Sequence, residues 1–153
     1  MNNNIPNNIN NDNNDCCNCI YDILRKIVML QKQDFDNDNY VGCDKPYLGP
    51  ATNNICYNTR PIILYNCCTG NPWTFNITRN AQTTDDGQST STLQNISSYI
   101  LRVENCDDCC CTCRILYQTS ENTYESTNNF VTINLDCCGA IRCLTDTYVD
   151  LCS

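Results

Sequence analysis

The distribution of apolar and polar positions divides the chain into three stretches. In residues 1–15, MNNNIPNNINNDNND, Ile5 and Ile9 are the only internal apolar side chains. So little apolar surface cannot offset the entropy of ordering a backbone, which predicts a disordered, asparagine-rich tail. Next, Ile20, Ile23, Leu24, Ile27, Val28 and Gln31 recur at the spacing of one helix face, with Asp15 or Asn18 placed to cap the first turn. One amphipathic helix is expected, ending at the polar run QKQDFDNDN and turning its stripe towards a core.

Beyond residue 40 the period shortens to two. RPIILYN (60–66), WTFNIT (73–78), SYILRVE (98–104), CTCRILY (111–117), FVTINLD (130–136) and AIRCLTD (140–146) read as short strands separated by Asn, Gly, Pro and Ser clusters. Their number and spacing predict a mainly β domain, an antiparallel β-sandwich with one N-terminal α-helix, over residues 16–153. Trp73, Phe75 and Ile77 should share the inner face of one strand, after a turn at Gly70, Asn71 and Pro72. The polar stretches TTDDGQSTSTLQNISS (83–98) and QTSENTYESTNN (118–129) are expected to be long loops.

Composition changes this picture mainly through cysteine. The chain has 153 residues, 16 cysteines and no histidine. Its hydrophobic fraction of 41% counts those cysteines, so the ordinary apolar residues make a modest core and sulfur must share in packing or tethering. A formal charge of -8 without any basic run argues against nucleic acid as a partner. No positively charged, apolar leader opens the chain, and the longest apolar stretch, IYDILRKIVML, is too short to span a bilayer and is broken by Asp22, Arg25 and Lys26. A soluble protein made in a reducing cytosol is expected, where disulfides do not persist, so the thiols either bind metal or oxidise after synthesis. The sequons at Asn76 and Asn95 are then matches by chance.

Three uses of the thiols compete. Cys16-x-x-Cys19 and Cys110-x-x-Cys113 have the spacing of zinc knuckles, but doublets produce such matches by chance and twelve thiols would remain. Cys106-x-x-Cys109 resembles a redox pair, yet Asp107 and Asp108 between the sulfurs disfavour the thiolate, and no histidine is present to act as a base. Those two aspartates are expected to be solvated rather than to bind a cation. With no phosphate-binding glycine loop and no nucleophile motif, an enzyme is not expected.

The doublets Cys16-Cys17, Cys67-Cys68, Cys109-Cys110-Cys111 and Cys137-Cys138 suggest a third use. Neighbouring side chains in a strand point to opposite faces, so Cys109, Cys111 and Cys113 should lie on one face with Ile115, and Cys110 on the other with Thr112, Arg114 and Leu116. A sandwich would leave one of those faces open, exposing some thiols, which suits a protein cross-linked to its own copies. The alternative is complete pairing into internal disulfides. Arg60 reads either as an interface contact or as a hydrogen-bonded residue at the start of a strand, and Trp73 as a core residue.

Several blocks occur in an order that resembles a known family. They are CIYDILRKIVMLQ (19–31), CDKPYLG (43–49), NTRPIILY (58–65), GNPW (70–73), LRVENCDDCC (101–110) and VTINLDCCGAIRCL (131–144). Together they are similar to the cysteine-rich spore coat and exosporium proteins of endospore-forming bacteria, the group of spore coat proteins Y and Z and ExsY-like proteins. The resemblance implies a structural protein without cofactors, made in the mother-cell cytoplasm. It would assemble with itself and with other coat or exosporium proteins into a sheet-like layer at the spore surface, held by intermolecular disulfides. All sixteen cysteines then become candidates for disulfides or cross-links: Cys16, Cys17, Cys19, Cys43, Cys56, Cys67, Cys68, Cys106, Cys109, Cys110, Cys111, Cys113, Cys137, Cys138, Cys143 and Cys152. Those between subunits are expected first at Cys16, Cys17, Cys67, Cys68, Cys110 and Cys152.

Overall fold

The computed structural model describes residues 18–32, 43 and 57–151. The tail at 1–15, the CDKPYLG block apart from Cys43, and Cys16, Cys17, Cys56 and Cys152 lie outside the described residues.

The helix forms where the stripe predicts it. Helix α1 runs Cys19–Gln31, and Asn18 caps it by accepting a hydrogen bond from the Ile20 N–H. Ile20, Leu24, Ile27 and Val28 are buried on one side of it, against a sheet. Gln31, the polar member of the stripe, is buried for a different reason. Its amide donates to Val103 O (2.6 Å) and accepts from the Arg60 N–H (3.2 Å), fastening the helix end to the sheet.

Seven strands follow: β1 (Ile62–Asn66), β2 (Phe75–Asp85), β3 (Gln88–Ser98), β4 (Ile100–Asp107), β5 (Cys110–Ser120), β6 (Thr123–Asn134) and β7 (Cys138–Cys143). Two antiparallel sheets are built from them, and they are unequal. One has five strands in the order β6-β5-β4-β1-β7; the other is the β2-β3 ribbon. The inner layer facing the large sheet is therefore composite, made of α1 together with the base of the ribbon, where Trp73, Phe75, Ile77 and Ile96 join the core.

Cross-strand pairing explains which residues fill that core. Ile62 lies opposite Leu101 and Cys143, Leu101 opposite Ile115, and Cys111 opposite both Cys106 and Ile133. All of these turn to the helix side, as the period-two reading requires. Two details depart from it. Cys109 is in the β4-β5 turn with positive φ and not in the strand, and the second face of β4 and β5 is not open. Ile100, Leu116 and Tyr124 are buried there beneath Val149 of the C-terminal segment.

Charge is buried around the sheet as well. Arg60 grips Asp146 through Nε–Oδ1 (2.8 Å) and Nη2–Oδ2 (3.1 Å), at side-chain exposures of 2% and 5%. Arg60 is thus an internal clamp on the C-terminal segment, which corrects its reading as an interface contact. Neighbouring Arg102 donates to Thr59 Oγ1 (2.9 Å) and pairs with Glu104 (2.6 Å), which also accepts from Arg114 (3.1 Å). Removing one member of such a set leaves an unpaired charge out of water, which is the costly way to break it.

Neither polar stretch expected as a loop is one. Residues 83–98 form the end of β2, the turn and all of β3, and that two-residue turn places Asp86 and Gly87 at φ 52° and 77°. Residues 118–129 continue β5 and β6 around a turn at Glu121 and Asn122. Apart from Ile96 and Ser98 at the ribbon's base and Tyr124, Ser126 and Thr127, both stretches are exposed on both faces, so no apolar alternation marked them. The threonine-rich composition and the Asp-Gly pair were the available signals.

Candidate functional site

Sulfur occupies two separate settings. In partly to fully buried positions, Cys43 is bonded to Cys143 and Cys106 to Cys111, with Cα–Cα separations of 5.7 and 4.1 Å. Cys109 is disulfide-bonded as well. The Cys106–Cys111 bridge joins residues directly opposite each other on β4 and β5, close to the Asp108-Cys109 turn. Cys106 therefore pairs with Cys111 and not with Cys109, so the Cys106-x-x-Cys109 redox pair does not form.

Seven described cysteines are free: Cys19, Cys67, Cys68, Cys110, Cys113, Cys137 and Cys138. Complete internal pairing is therefore not the arrangement observed. Cys113 is buried while Cys110 lies on the opposite face of β5, so this pair cannot close on one ion as a knuckle does. Among the described residues no three Cys, Asp or Glu side chains converge as a metal site would require.

Four of the free thiols meet at one corner, and the chain path explains why. Strands β6 and β7 are opposite edges of the five-stranded sheet, yet only the 3-10 turn Leu135–Cys137 connects them. A flat five-stranded sheet would hold its edges roughly 19 Å apart, more than a link of this length comfortably crosses. The sheet is accordingly curled, and β7 begins where β1 ends: Asn66 is the partner of Cys138, and the Cys67 N–H donates to Cys137 O (2.9 Å). Gly139 allows this approach. A Cβ there would stand 3.2 Å from the Cys67 Cα, tighter than ordinary contact.

Cys67, Cys68 and Cys137 are exposed at this corner and Cys138 is half-buried, with the Cys67 and Cys68 sulfurs 4.0 Å apart. Partial desolvation raises the Cys67 thiol above its ordinary pKa, helped by the Cys68 contact and by Cys137. Burial raises Cys138 too; the Trp73 indole opposes this, and Cys137 and Cys67 reinforce it. Trp73 Nε1 is buried and has no partner at hydrogen-bonding geometry, so it acts on Cys138 only as a nearby dipole. Beneath the corner, burial pushes Cys113 up to about 12, with Cys138 and Glu104 adding to the shift.

Cys19 and Cys110 flank the crossing from the β6 side. Asn18 donates to Leu135 O (2.8 Å), and Cys110 is the partner of Asn134. Of the six cysteines expected to link subunits, Cys67 and Cys68 are free and exposed, Cys110 is free and half-buried, and Cys16, Cys17 and Cys152 lie outside the described residues. The sequence reading did not favour Cys137; its place in a doublet was the signal that could have done so. Asp107 and Asp108 are exposed in or beside the β4-β5 turn.

No helix among the described residues is long and apolar enough to cross a membrane. No curated protein and no solved structure matches the chain. A family model described as Spore coat protein Z matches residues 8–128.

Proposed function

The chain belongs to the spore coat protein Z family, and from that membership we propose that it is a non-enzymatic structural subunit of the outer spore layer. In this reading it assembles with copies of itself and with other coat or exosporium proteins into a two-dimensional layer, then becomes cross-linked between subunits by disulfides. The carrying observation is that, beside closed cystines, four free thiols gather at one corner with three of them exposed.

The thiol chemistry supports this order of events. A thiol attacks a disulfide only as its thiolate, and Cys67 and Cys138 are held above their ordinary pKa. Reaction at neutral pH is slowed, which leaves time for subunits to dock before bonds form between them. The outer edges of β6 and β7, which pair with no further strand among the described residues, supply the backbone groups for such docking.

The test is assembly of the full chain, purified with free thiols and then oxidised. Multimers or sheets that a thiol reductant disperses are the expected result. A species that stays monomeric at high concentration, with its surface thiols either untouched or closed on one another, would overturn the proposal.

A further inference from the structure

The corner formed by Cys67, Cys68, Cys137 and Cys138 has properties beyond carrying free thiols. Residues 66–72, NCCTGNP, and 137–141, CCGAI, contain no charged side chain, in a chain of net charge -8. Exposed Asp136 and Arg142 border the second segment, one charge of each sign, so a second copy of the corner meets little net repulsion there. The corner is also low in bulk: Gly70, Gly139 and Ala140 are exposed beside the sulfurs. A disulfide usually has its Cα atoms about 4.4–6.8 Å apart, so backbone must approach backbone, and small neighbours permit that.

Closure between sequence neighbours inside the corner is less favourable. Cys67-Cys68 and Cys137-Cys138 are neighbours in sequence, with Cα atoms about 3.8 Å apart across a trans peptide, below the usual disulfide range. The sulfurs of the first pair are in contact at 4.0 Å without being bonded, while cystines elsewhere in the chain are closed.

We infer that this four-thiol corner is the surface through which one copy of the chain is covalently joined to a second copy, corner to corner. The inference rests on the disulfide-linked reading given above and specifies its site. The oxidant is a small-molecule disulfide. A corner thiolate attacks one of its sulfurs, forms a mixed disulfide and releases one small thiolate. A thiolate from the second copy then attacks the corner sulfur, forming the bond between subunits and releasing the second small thiolate. Two protein thiols are oxidised and one small disulfide is reduced. With four thiols on each side more than one bond can form, and a single reduced bond is held in place to re-form by the others.

The experiment oxidises the reduced full chain with glutathione disulfide and maps the linked peptides by mass spectrometry beside non-reducing electrophoresis. Three proteins are compared: the unchanged chain, the triple variant C67S/C68S/C137S, and the double variant C19S/C110S. The three serines replace exposed residues, and circular dichroism confirms the fold of each protein. The expected result is dimers of the unchanged chain with linkages between corner peptides, a yield at least tenfold lower in the triple variant, and little change in the double variant. Dimers linked through Cys19, Cys110 or cysteines outside the corner, or a triple variant that links as well as the unchanged chain, would sink the corner and leave the cross-linked subunit standing. A Cys67–Cys137 bridge within one chain would also sink the corner. If the unchanged chain forms no covalent multimer by any route, the cross-linked reading fails with it.

Discussion

At the scale of single residues, cysteine is either bonded or free, and burial alone does not decide which. Cys111 and Cys113 are two positions apart on the inner face of β5 and fully buried, one bonded to Cys106 and the other free. Cys113 packs as a small apolar side chain and keeps its proton, since desolvation pushes its pKa up to about 12 from an ordinary 9.0. The sign of the linkage follows. The folded state holds a proton that the unfolded state releases above pH 9, so stability from this group is level below pH 9 and falls as pH rises towards 12. C113A should lessen the fall in thermal midpoint between pH 8.5 and 10.5, read by circular dichroism in reductant-free buffer against the unchanged chain. At pH 8 an alkylating reagent should label Cys68 and Cys137 at least a hundredfold faster than Cys113; equal rates would show that Cys113 is not shielded as described.

At the scale of elements, legibility follows contrast between apolar and polar positions. Helix α1, the base of β2 and the inner face of β5 set apolar side chains against polar ones, β1 and the start of β4 are short runs buried on both faces, and the sequence placed all of them. The ribbon beyond Ala81 was lost because both its faces meet water, and its burial pattern has no contrast to read. The buried Arg60–Asp146 pair was lost for a related reason: its partners are 86 positions apart, and nothing local marks either as internal. The corner was half legible. Its doublets stood out, whereas the meeting of 67–68 with 137–138 depends on the curl of the sheet.

The ribbon also has a distinct stability. Pairing runs unbroken from Phe75 opposite Ser98 to Asp85 opposite Gln88, but core contacts are confined to its base. Two strands without a packed face are marginal in water. Gly87 at φ 77° takes a left-handed conformation that costs a branched residue roughly 1–2 kcal/mol. G87V should therefore abolish amide protection between residues 80 and 93 in hydrogen exchange while moving the global thermal midpoint by less than about 2 °C, because the ribbon opens as a local unit. A large drop in the midpoint would mean that ribbon and core unfold together.

At the scale of the whole molecule, the two described bridges close loops of very different size. Cys43–Cys143 spans 100 positions and Cys106–Cys111 spans 5. On a chain-entropy account the first restrains the unfolded chain by about 5 kcal/mol and the second by about 2. Comparing C43S/C143S with C106S/C111S in denaturant melts should give the larger loss for the first pair, by roughly twofold. The reverse order would mean that local support of the β4-β5 hairpin outweighs the restraint on the whole chain.

The ribbon has one more consequence. It contains no cysteine, and from Arg79, which stacks on Tyr117 and pairs with Glu125, it runs on beside the far end of the β5-β6 hairpin. The free thiols gather instead about the β6-β7 crossing. The subunit is thus polar, reactive at one end and chemically inert at the other. Eleven residues per strand make an arm roughly 35 Å long at the usual rise of about 3.3 Å per residue. A pair joined through its reactive ends would carry one such arm at each extremity, two hydrated bristles pointing apart. An oxidant or reductant acting on the joint would then change how firmly the pair is held while leaving its hydroxyl-rich fringe as it was.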